Sequence, residues 1–448
     1  MPSLVFSLPI SLAACGCMAA AGASDLPEIV KLTASDSAED NRFGEPVAIH
    51  GDILLVSSPG RTPGGIYVFD SLTGTELGTI SVTDEQSENW NGGNIAVTST
   101  LALVADKDAD HNGIMNCGAI YVIDIATGKQ LRKLTTSDAY TDDHIGNALA
   151  ISGNVVVAGA QSESHSDLSS PGSAYAFDLE TGEELFKITP DASWHFDSFG
   201  ASVAISSDYI LVGAPRADPN NLAQAGRAFV FERETGEQLS TLVASEPGED
   251  DRFGSTVAIA GSIAIVSAPR DDHSGYANAG SVYLFDLKTG RQEARLTAAI
   301  PMDQGSFGHH LVASEQFIVI GSINGGLGVT DVYELDSRIH ITRLIASDRG
   351  GEEPFLGRPA IDGSRIVVGI SNDDPNGVIN AGSAYIFDLD ELACPADLTD
   401  DGVLDLGDVG AFIGAFILQT PIADLNEDGI YDLADITVFV NSFNAGCP

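Results

Sequence analysis

An all-β fold built from repeated sheets set in a ring is predicted by three features of the chain. First, equivalent segments begin at Thr79, Lys133, Lys187, Thr241 and Arg295, each 54 residues after the last. A fixed period of that length marks a stacked or circular repeat architecture. Second, each unit holds four short apolar runs bounded by Gly, Asp, Asn, Ser or Pro. In Lys187–Ser240 these are Phe199–Ile205, Tyr209–Ala214, Arg227–Phe231 and the segment around Leu239–Leu242. Short runs rich in Val, Ile, Phe and Tyr read as strands, and no window of the repeats sustains a 3.6-residue period. Third, the units can be counted, and there are seven. A lone four-stranded antiparallel sheet leaves an apolar face uncovered. Set radially, the sheets cover one another, which predicts a seven-bladed β-propeller.

The count rests on three slots. A Phe-Gly slot opens each first strand: Phe43-Gly44, Ile145-Gly146, Phe199-Gly200, Phe253-Gly254, Phe307-Gly308 and Leu356-Gly357, with Asn91-Gly92 as a degenerate copy. The third strand carries an aromatic at Tyr67, Tyr121, Tyr175, Phe229, Tyr283, Tyr333 and Tyr385. The first strand carries a small residue at Ala48, Ala96, Ala150, Ala204, Ala258 and Ala360, with Val312 as the exception. Small side chains suit the strand nearest a crowded axis. Blades one to six are each followed by a fourth strand, but after Tyr385–Asp388 the chain leaves for Cys394. The missing strand lies at the other end, in residues 31–35. The propeller is therefore expected over residues 25–392, with residues 31–35 completing blade seven and removing two free sheet edges.

The chain has 448 residues and a formal charge of −43, from 21 Lys and Arg against 64 Asp and Glu. Bulk electrostatics of that sign exclude nucleic acid and anionic lipid as partners. They suit cations, cationic partners or plain solubility. Residues 1–23 are apolar and end in Ala21-Gly22-Ala23, the pattern of a cleaved export signal. Leu12-Ala13-Ala14-Cys15 also has the form of a lipoprotein box, which would anchor Cys15 by lipid. Either reading places the protein outside the cell or on its surface. No later stretch is apolar over a membrane's thickness. Catalytic motifs are lacking: the nine histidines are scattered apart from His309-His310, and neither H-E-x-x-H nor G-x-S-x-G occurs. A non-catalytic chain is the reading that follows. The alternative is a polysaccharide-degrading enzyme, because a glycosidase's two carboxylates need no linear motif, or an accessory subunit of a polysaccharide-degrading complex.

Phe199-Gly200 with Val212-Gly213-Ala214-Pro215, and Phe253-Gly254 with Ser267-Ala268-Pro269, resemble the FG-GAP repeat of integrin α-subunit propellers and bacterial surface proteins. Lys31-Leu32-Thr33-Ala34-Ser35-Asp36 is similar to the bacterial branch. The resemblance covers most of the chain and implies a binding or adhesion module. It also implies calcium in the loop between second and third strands. In blade two that loop offers Asp108, Asp110, Asn112, the Ile114 carbonyl and Asn116, with Gly113 at the sixth position. Blade seven repeats it with Asn372, Asp374, Asn376 and Asn380. Blade five keeps Asp272, Ser274 and Asn278, and blade four Asp218, Asn220 and Gln224. Alternate oxygens of a tight loop converge on one point, as calcium requires. The competing reading is that Asp and Asn stand there to form Asx-turns. A second acidic loop, such as Asp138…Asp142 or Glu246…Asp250, enters each first strand and reads as solvated turn.

The tail carries two twelve-residue loops 27 residues apart. Asp397, Thr399, Asp401, Asp405 and Asp408 occupy positions 1, 3, 5, 9 and 12 of the first, with Gly402 at 6 and the Val403 carbonyl at 7. Asp424, Asn426, Asp428, Asp432 and Asp435 repeat them, with Gly429 and the Ile430 carbonyl. Position 6 permits the turn and the acid at 12 closes an oxygen shell. Each loop runs into a helix whose apolar face is Val409, Phe412, Ile413 and Phe416, or Ile436, Phe439, Val440 and Phe443, at i, i+3, i+4 and i+7. This pair, bracketed by Cys394 and Cys447, resembles a dockerin, a paired F-hand domain expected over residues 394–448. The resemblance implies two calcium ions, a Cys394–Cys447 disulfide pinning both ends, and a cohesin-like partner. At the recognition positions stand Leu406-Gly407 and Leu433-Ala434. With ten acids and no Lys or Arg the module repels itself, so calcium binding and folding are expected to be coupled.

The functional expectation is an exported, non-catalytic binding protein. Its propeller recognises a protein or glycan, and its tail docks or tethers it in a calcium-dependent way. A purely structural surface protein is the third reading.

Overall fold

The computed structural model describes residues 25–445 apart from 62–63, 83–92, 165–169, 192–195, 325–326, 349–356, 392–395, 400–403 and 426–430. The expected leader with Cys15, the Asn91-Gly92 slot, Leu356, Cys394, Asp401, Val403, Asn426, Asp428, Ile430 and Cys447 lie outside the described residues. Two compact units divide the chain, one over Asp25–Ala393 and one from Cys394 onward. No described helix is long and apolar enough to cross a membrane.

The first unit is a seven-bladed β-propeller of seven antiparallel sheets. Blade four shows the plan, with strands Ser202–Ile205, Tyr209–Ala214, Arg227–Glu232 and Gln238–Leu242. Each first strand touches the first strands of both neighbouring blades, and Arg358–Asp362 touches Val47–His50, which closes the ring. The slot keeps one register position: Ala48, Ala204, Ala258 and Ala360, and Val312 as the larger exception, face Leu55, Leu211, Ile265, Val367 and Val319. Seven apolar clusters fill the seven junctions. The one between blades four and five joins Leu211, Val230 and Leu242 to Val266, Tyr283 and Phe285.

The Phe-Gly slot is not strand. Phe253 donates its backbone N–H to Ala225 of the preceding blade at 2.9 Å while its ring meets Tyr283 of its own blade, centroids 5.5 Å apart. Gly254 passes so close to the preceding blade that a Cβ on Gly213 would overlap its carbonyl oxygen, and Gly159 and Gly369 face Gly200 and Gly44 in the same way. Glycine in the G-A-P segment thus exists for the next blade's Phe-Gly. At the opposite end of blades one, two, three and five, the turn into the fourth strand is an Asp-x-x-Thr-Gly unit. Asp178 Oδ1 accepts from the Thr181 N–H and hydroxyl, and Asp124 and Asp286 do the same.

Both ends of the propeller chain meet in blade seven. Val30–Leu32 runs antiparallel to Ser383–Asp388 with Lys31 opposite Tyr385. This strand is shorter than residues 31–35 because Ser35 turns away, its N–H and hydroxyl donating to Glu76 in blade one. An unforeseen strand, Leu26–Pro27, pairs in parallel with His340–Ile345 and makes blade six five-stranded. Blade six also corrects the aromatic slot. Arg343 faces Asp331, as Arg295 faces Tyr283 in blade five, so Asp331 holds that position. Tyr333 lies two residues on, where it fills the position of Phe285 and packs on Phe307 as Phe285 packs on Phe253.

The second unit contains helices α1 (Leu406–Leu418) and α2 (Leu433–Ala445). Phe412 and Phe439 stack between them with centroids 4.2 Å apart and planes 7° from parallel. Val409, Phe416, Ile436 and Phe443 pack around that pair. Ile413 and Val440 do not join the core but are about half exposed. A helix of 3.6 residues per turn carries these i+4 positions round to the outer flank of the buried stripe.

Candidate functional site

Buried charge in the propeller is organised around the third-strand tyrosine, an arrangement the sequence reading did not anticipate. In blade five, Tyr283 donates its hydroxyl to Asp271 at 2.7 Å, and Arg295 pairs with Asp271 at 2.6 Å and Glu246 at 3.2 Å. The Arg295 guanidinium lies over the Tyr283 ring. In blade three Tyr175 donates to Asp138 at 2.9 Å, and Lys187 bridges Asp138 and Glu163 at 2.7 and 2.6 Å. In blade seven Lys31 pairs with Asp348 and with Asp373, and Tyr385 donates to Asp373 at 3.0 Å. The ring is thus closed by a cation from the chain's other end. Blade one uses Tyr67, Asp36 and Arg61. Hydrogen bonds and the cation hold Asp36 and Asp138 below the usual carboxylate range.

The recurring Ser-Asp of the acidic loop is now explained. Asp36, Asp138 and Asp348 serve these clusters, while Ser35, Ser137 and Ser347 donate to Glu76, Glu184 and Glu28 on or beside the next fourth strand. Asp143 and Asp251, deeper in the same loops, differ. Burial, and then the carboxylates around them, push both up to about 6. On blade six the His309 and His310 rings pack 4.6 Å apart, and burial depresses both.

In the loops between second and third strands, Asp110, Asp218, Asp272 and Asp374 each accept the backbone N–H six residues on, at 2.6–2.8 Å. Residues at the fifth and ninth positions have positive φ: Asn112 51° and Asn116 50°, Asn376 55° and Asn380 48°. Asn is the side chain that tolerates that region best after Gly. Backbone geometry therefore accounts for the Asp/Asn pattern. Asn116 and Asn380 also donate to Asp142 and Asp40 at 2.8 and 2.9 Å, fastening each loop to the next blade. Asp108 is held by Lys107 at 2.7 Å, with His144 at 3.5 Å. Asp110 and Asn116 are brought together, and Asp108 is directed elsewhere. Among the described residues no three His, Cys, Asp or Glu gather in a metal-holding group. Cys117 is a buried free thiol whose pKa burial raises. Two clefts open beside these loops, of about 530 and 770 Å³.

The described parts of the tail loops form a symmetric pair. Asp408 is fully buried; its carboxylate accepts the Thr399 N–H at 3.0 Å and the Asp405 N–H at 2.9 Å, which lowers its pKa. Asp435, equally buried, accepts the Leu425 and Asp432 N–H groups, both at 2.9 Å. Asp405 and Asp432 cap the helices through the Gly407 and Ala434 N–H groups. Position-12 acids thus tie each loop's start to its helix. Asp397 lies 3.5 Å from the Thr399 hydroxyl, and Asp424 opens the second loop.

No curated protein matches the chain. The family model described as FG-GAP repeat matches residues 27–69, 129–177, 183–231, 237–285 and 340–387. Each match starts in or beside a fourth strand and ends in the next blade's third strand, the same offset by which residues 26–32 complete blades six and seven. The first three strands of blades two and six lie between the matches; blade two has Asn91 in the Phe slot and blade six has Val312 and Asp331 in the small-residue and tyrosine slots. The matches span just over half of the chain, and with their glycine seam and Phe-Gly bridges observed in the ring, the chain belongs to the FG-GAP repeat family.

Proposed function

We propose that this is an exported, non-catalytic binding protein, its propeller recognising a protein or glycan at the cell surface. The observation that carries the reading is how four of the propeller's buried acids, those nearest the third-strand tyrosine position, are held. Glu163, Asp271, Asp331 and Asp373 are each engaged by Lys or Arg, which suits a rigid scaffold rather than a pair of free catalytic carboxylates. Such a scaffold presents fixed loops on one face, where binding residues concentrate. Isothermal titration of the full-length protein against a polysaccharide panel, with product analysis, tests this. Binding without new reducing ends is expected. Turnover that disappears with one carboxylate would reverse the reading.

The tail acts as a calcium-dependent, dockerin-like tether. Its donors are all oxygen, with acids at positions 1, 9 and 12 of both loops, the hard set that suits calcium. When bound, calcium would supply the charge neutralisation that ten acids without a basic residue need. Leu406 and Leu433, at the recognition positions, are 85% and 73% exposed, and Ile417 is 73% exposed. An exposed apolar surface of this kind suits docking onto a partner. Calcium titration of the full chain should show two sites, of which Asp401→Ala and Asp428→Ala each remove one. A chain whose helix content and titration heat ignore calcium refutes the tether.

A further inference from the structure

We propose that the propeller's loop face carries a binding site for an acidic, uronate-bearing oligosaccharide, in the cleft between blades three, four and five. This deepens, and rests on, the proposed binding role. The cleft, of about 530 Å³, is lined by Arg216 and Arg252, with Gln161 and Ser162 beside them, and among the described residues no Asp or Glu lines it. In a chain with 64 acids and 21 bases, two arginines without a lining acid are a local departure from the composition. Arg216 is exposed and enters no ion pair among the described residues. Arg252 pairs with Asp250 through Nε alone, at 3.1 Å, and Asp250 is shared with Arg270 at 2.5 Å, so the terminal nitrogens of Arg252 stay outside that bond. Backbone holds both in place: Arg216 N–H donates to Asp197 at 3.2 Å, and Arg252 N–H to Gln224 at 3.1 Å, with φ 58° at Arg252.

Guanidinium groups recognise planar carboxylates through paired N–H donors. Hydroxyl and amide side chains between them match a hydroxyl-rich ligand. Gln161 also lines the neighbouring cleft of about 770 Å³, where Arg42, Lys107 and Arg358 stand with Asp40 and Glu45. A chain of sugars can therefore pass from one cleft to the other. The −43 field opposes any anion, and it opposes a polyphosphate more than a uronate chain, because a polyphosphate carries a charge at every phosphate and a uronate chain only one per sugar ring.

The probe is oligogalacturonate, titrated into the full-length protein beside its carboxyl-reduced neutral counterpart. The acidic oligosaccharide should bind at least tenfold tighter and lose affinity with added salt. Arg216→Glu should weaken it about tenfold, and with Arg252→Glu about a hundredfold. Lys288→Glu with Arg291→Glu, exposed on the opposite face, makes the same charge change and should leave binding within twofold. Equal affinity for the neutral chain, or equal loss from both pairs of variants, overturns the site while leaving a binding propeller standing. Absence of acidic-glycan binding from a protein that still captures another ligand does the same. Absence of binding to every member of the polysaccharide panel overturns the site and leaves a protein as the propeller's ligand.

Discussion

Blades four and five share one backbone and differ in what they bury. The positions held in blade five by Tyr283, Arg295 and Asp271 are held in blade four by Phe229, Thr241 and Ala217. Phe199 and Phe253 lie against their third strands in the same edge-on way, at 5.5 Å in both. Register shifts fall at the same step, Val230/Phe231 and Leu284/Phe285. The frame is therefore indifferent to whether the cluster is charged or apolar, provided all its members change together. A tyrosine hydroxyl without its acid, or an arginine without either, would leave a buried polar group unsatisfied. The Phe bridge is what the two blades have in common; they vary in the charge cluster and in the seam position, which is Gly213 in blade four and Ser267 in blade five.

The strongest way to break the comparison is at the junction between blades. Gly213→Ala places a methyl on the carbonyl of Gly254, which must shift to make the room that the next blade already leaves for Ser267 in blade five. A loss of about 4 kcal/mol or more is expected, read as a fall in calorimetric Tm. An unchanged Tm would show that the seam is not what joins the blades. Next comes the variable part: Asp271→Ala strips both Tyr283 and Arg295 of their partner and should lose about 3 kcal/mol. The change at the matching site of blade four, Ala217→Asp, buries a carboxylate with no cation opposite and should cost a similar amount.

Much of this was legible before the structure. Period, slots and blade count follow from alternating runs and turn residues, which are local signals. The tail's helices follow from Phe412 and Phe439 recurring with their loops. Buried clusters were not legible, because each gathers residues from four separate segments. Asp138, Glu163, Tyr175 and Lys187 look like two surface acids, an aromatic and a base until the sheet folds. One trace was available, the joint change of Tyr283, Arg295 and Asp271 to Phe229, Thr241 and Ala217. Blade six misled for a different reason. Its third strand puts Asp331 in the tyrosine slot and a tyrosine two residues later, so an aromatic on the same face concealed the substitution.

The pH response sharpens the contrast between acids that have cations and acids that do not. Asp251 accepts the Gly248 N–H at 2.5 Å, but it is buried among the charges of Asp271 and Asp272, which Arg295 opposes more weakly. Its pKa, about 6 when folded, exceeds the unfolded carboxylate's value of about 3.9. Folding therefore favours its protonated form. That contribution is present below pH 4 and is lost as pH rises through 6. Asp251→Asn can keep the Gly248 bond without the charge. It should raise stability at pH 7 by up to about 3 kcal/mol and by little at pH 4. A gain of the same size at both pH values would mean that charge is not the cause.

The smallest effect is the most informative. Converting blade five to blade four's set with Tyr283→Phe, Arg295→Thr and Asp271→Ala removes every member of the cluster at once. Each single change leaves partners stranded, but the triple change leaves only Glu246, which is solvent-exposed. Desolvation of an ion pair offsets most of its attraction, so replacing the whole group by apolar side chains should shift stability by no more than about 1 kcal/mol. The sum of the single losses should exceed the triple loss several-fold, a non-additivity measurable by thermal unfolding of the four proteins. Additive losses would mean that the cluster stabilises blade five in its own right. Blade four would then need a compensating contact that its apolar residues, Leu211, Phe229 and Phe231, would have to supply.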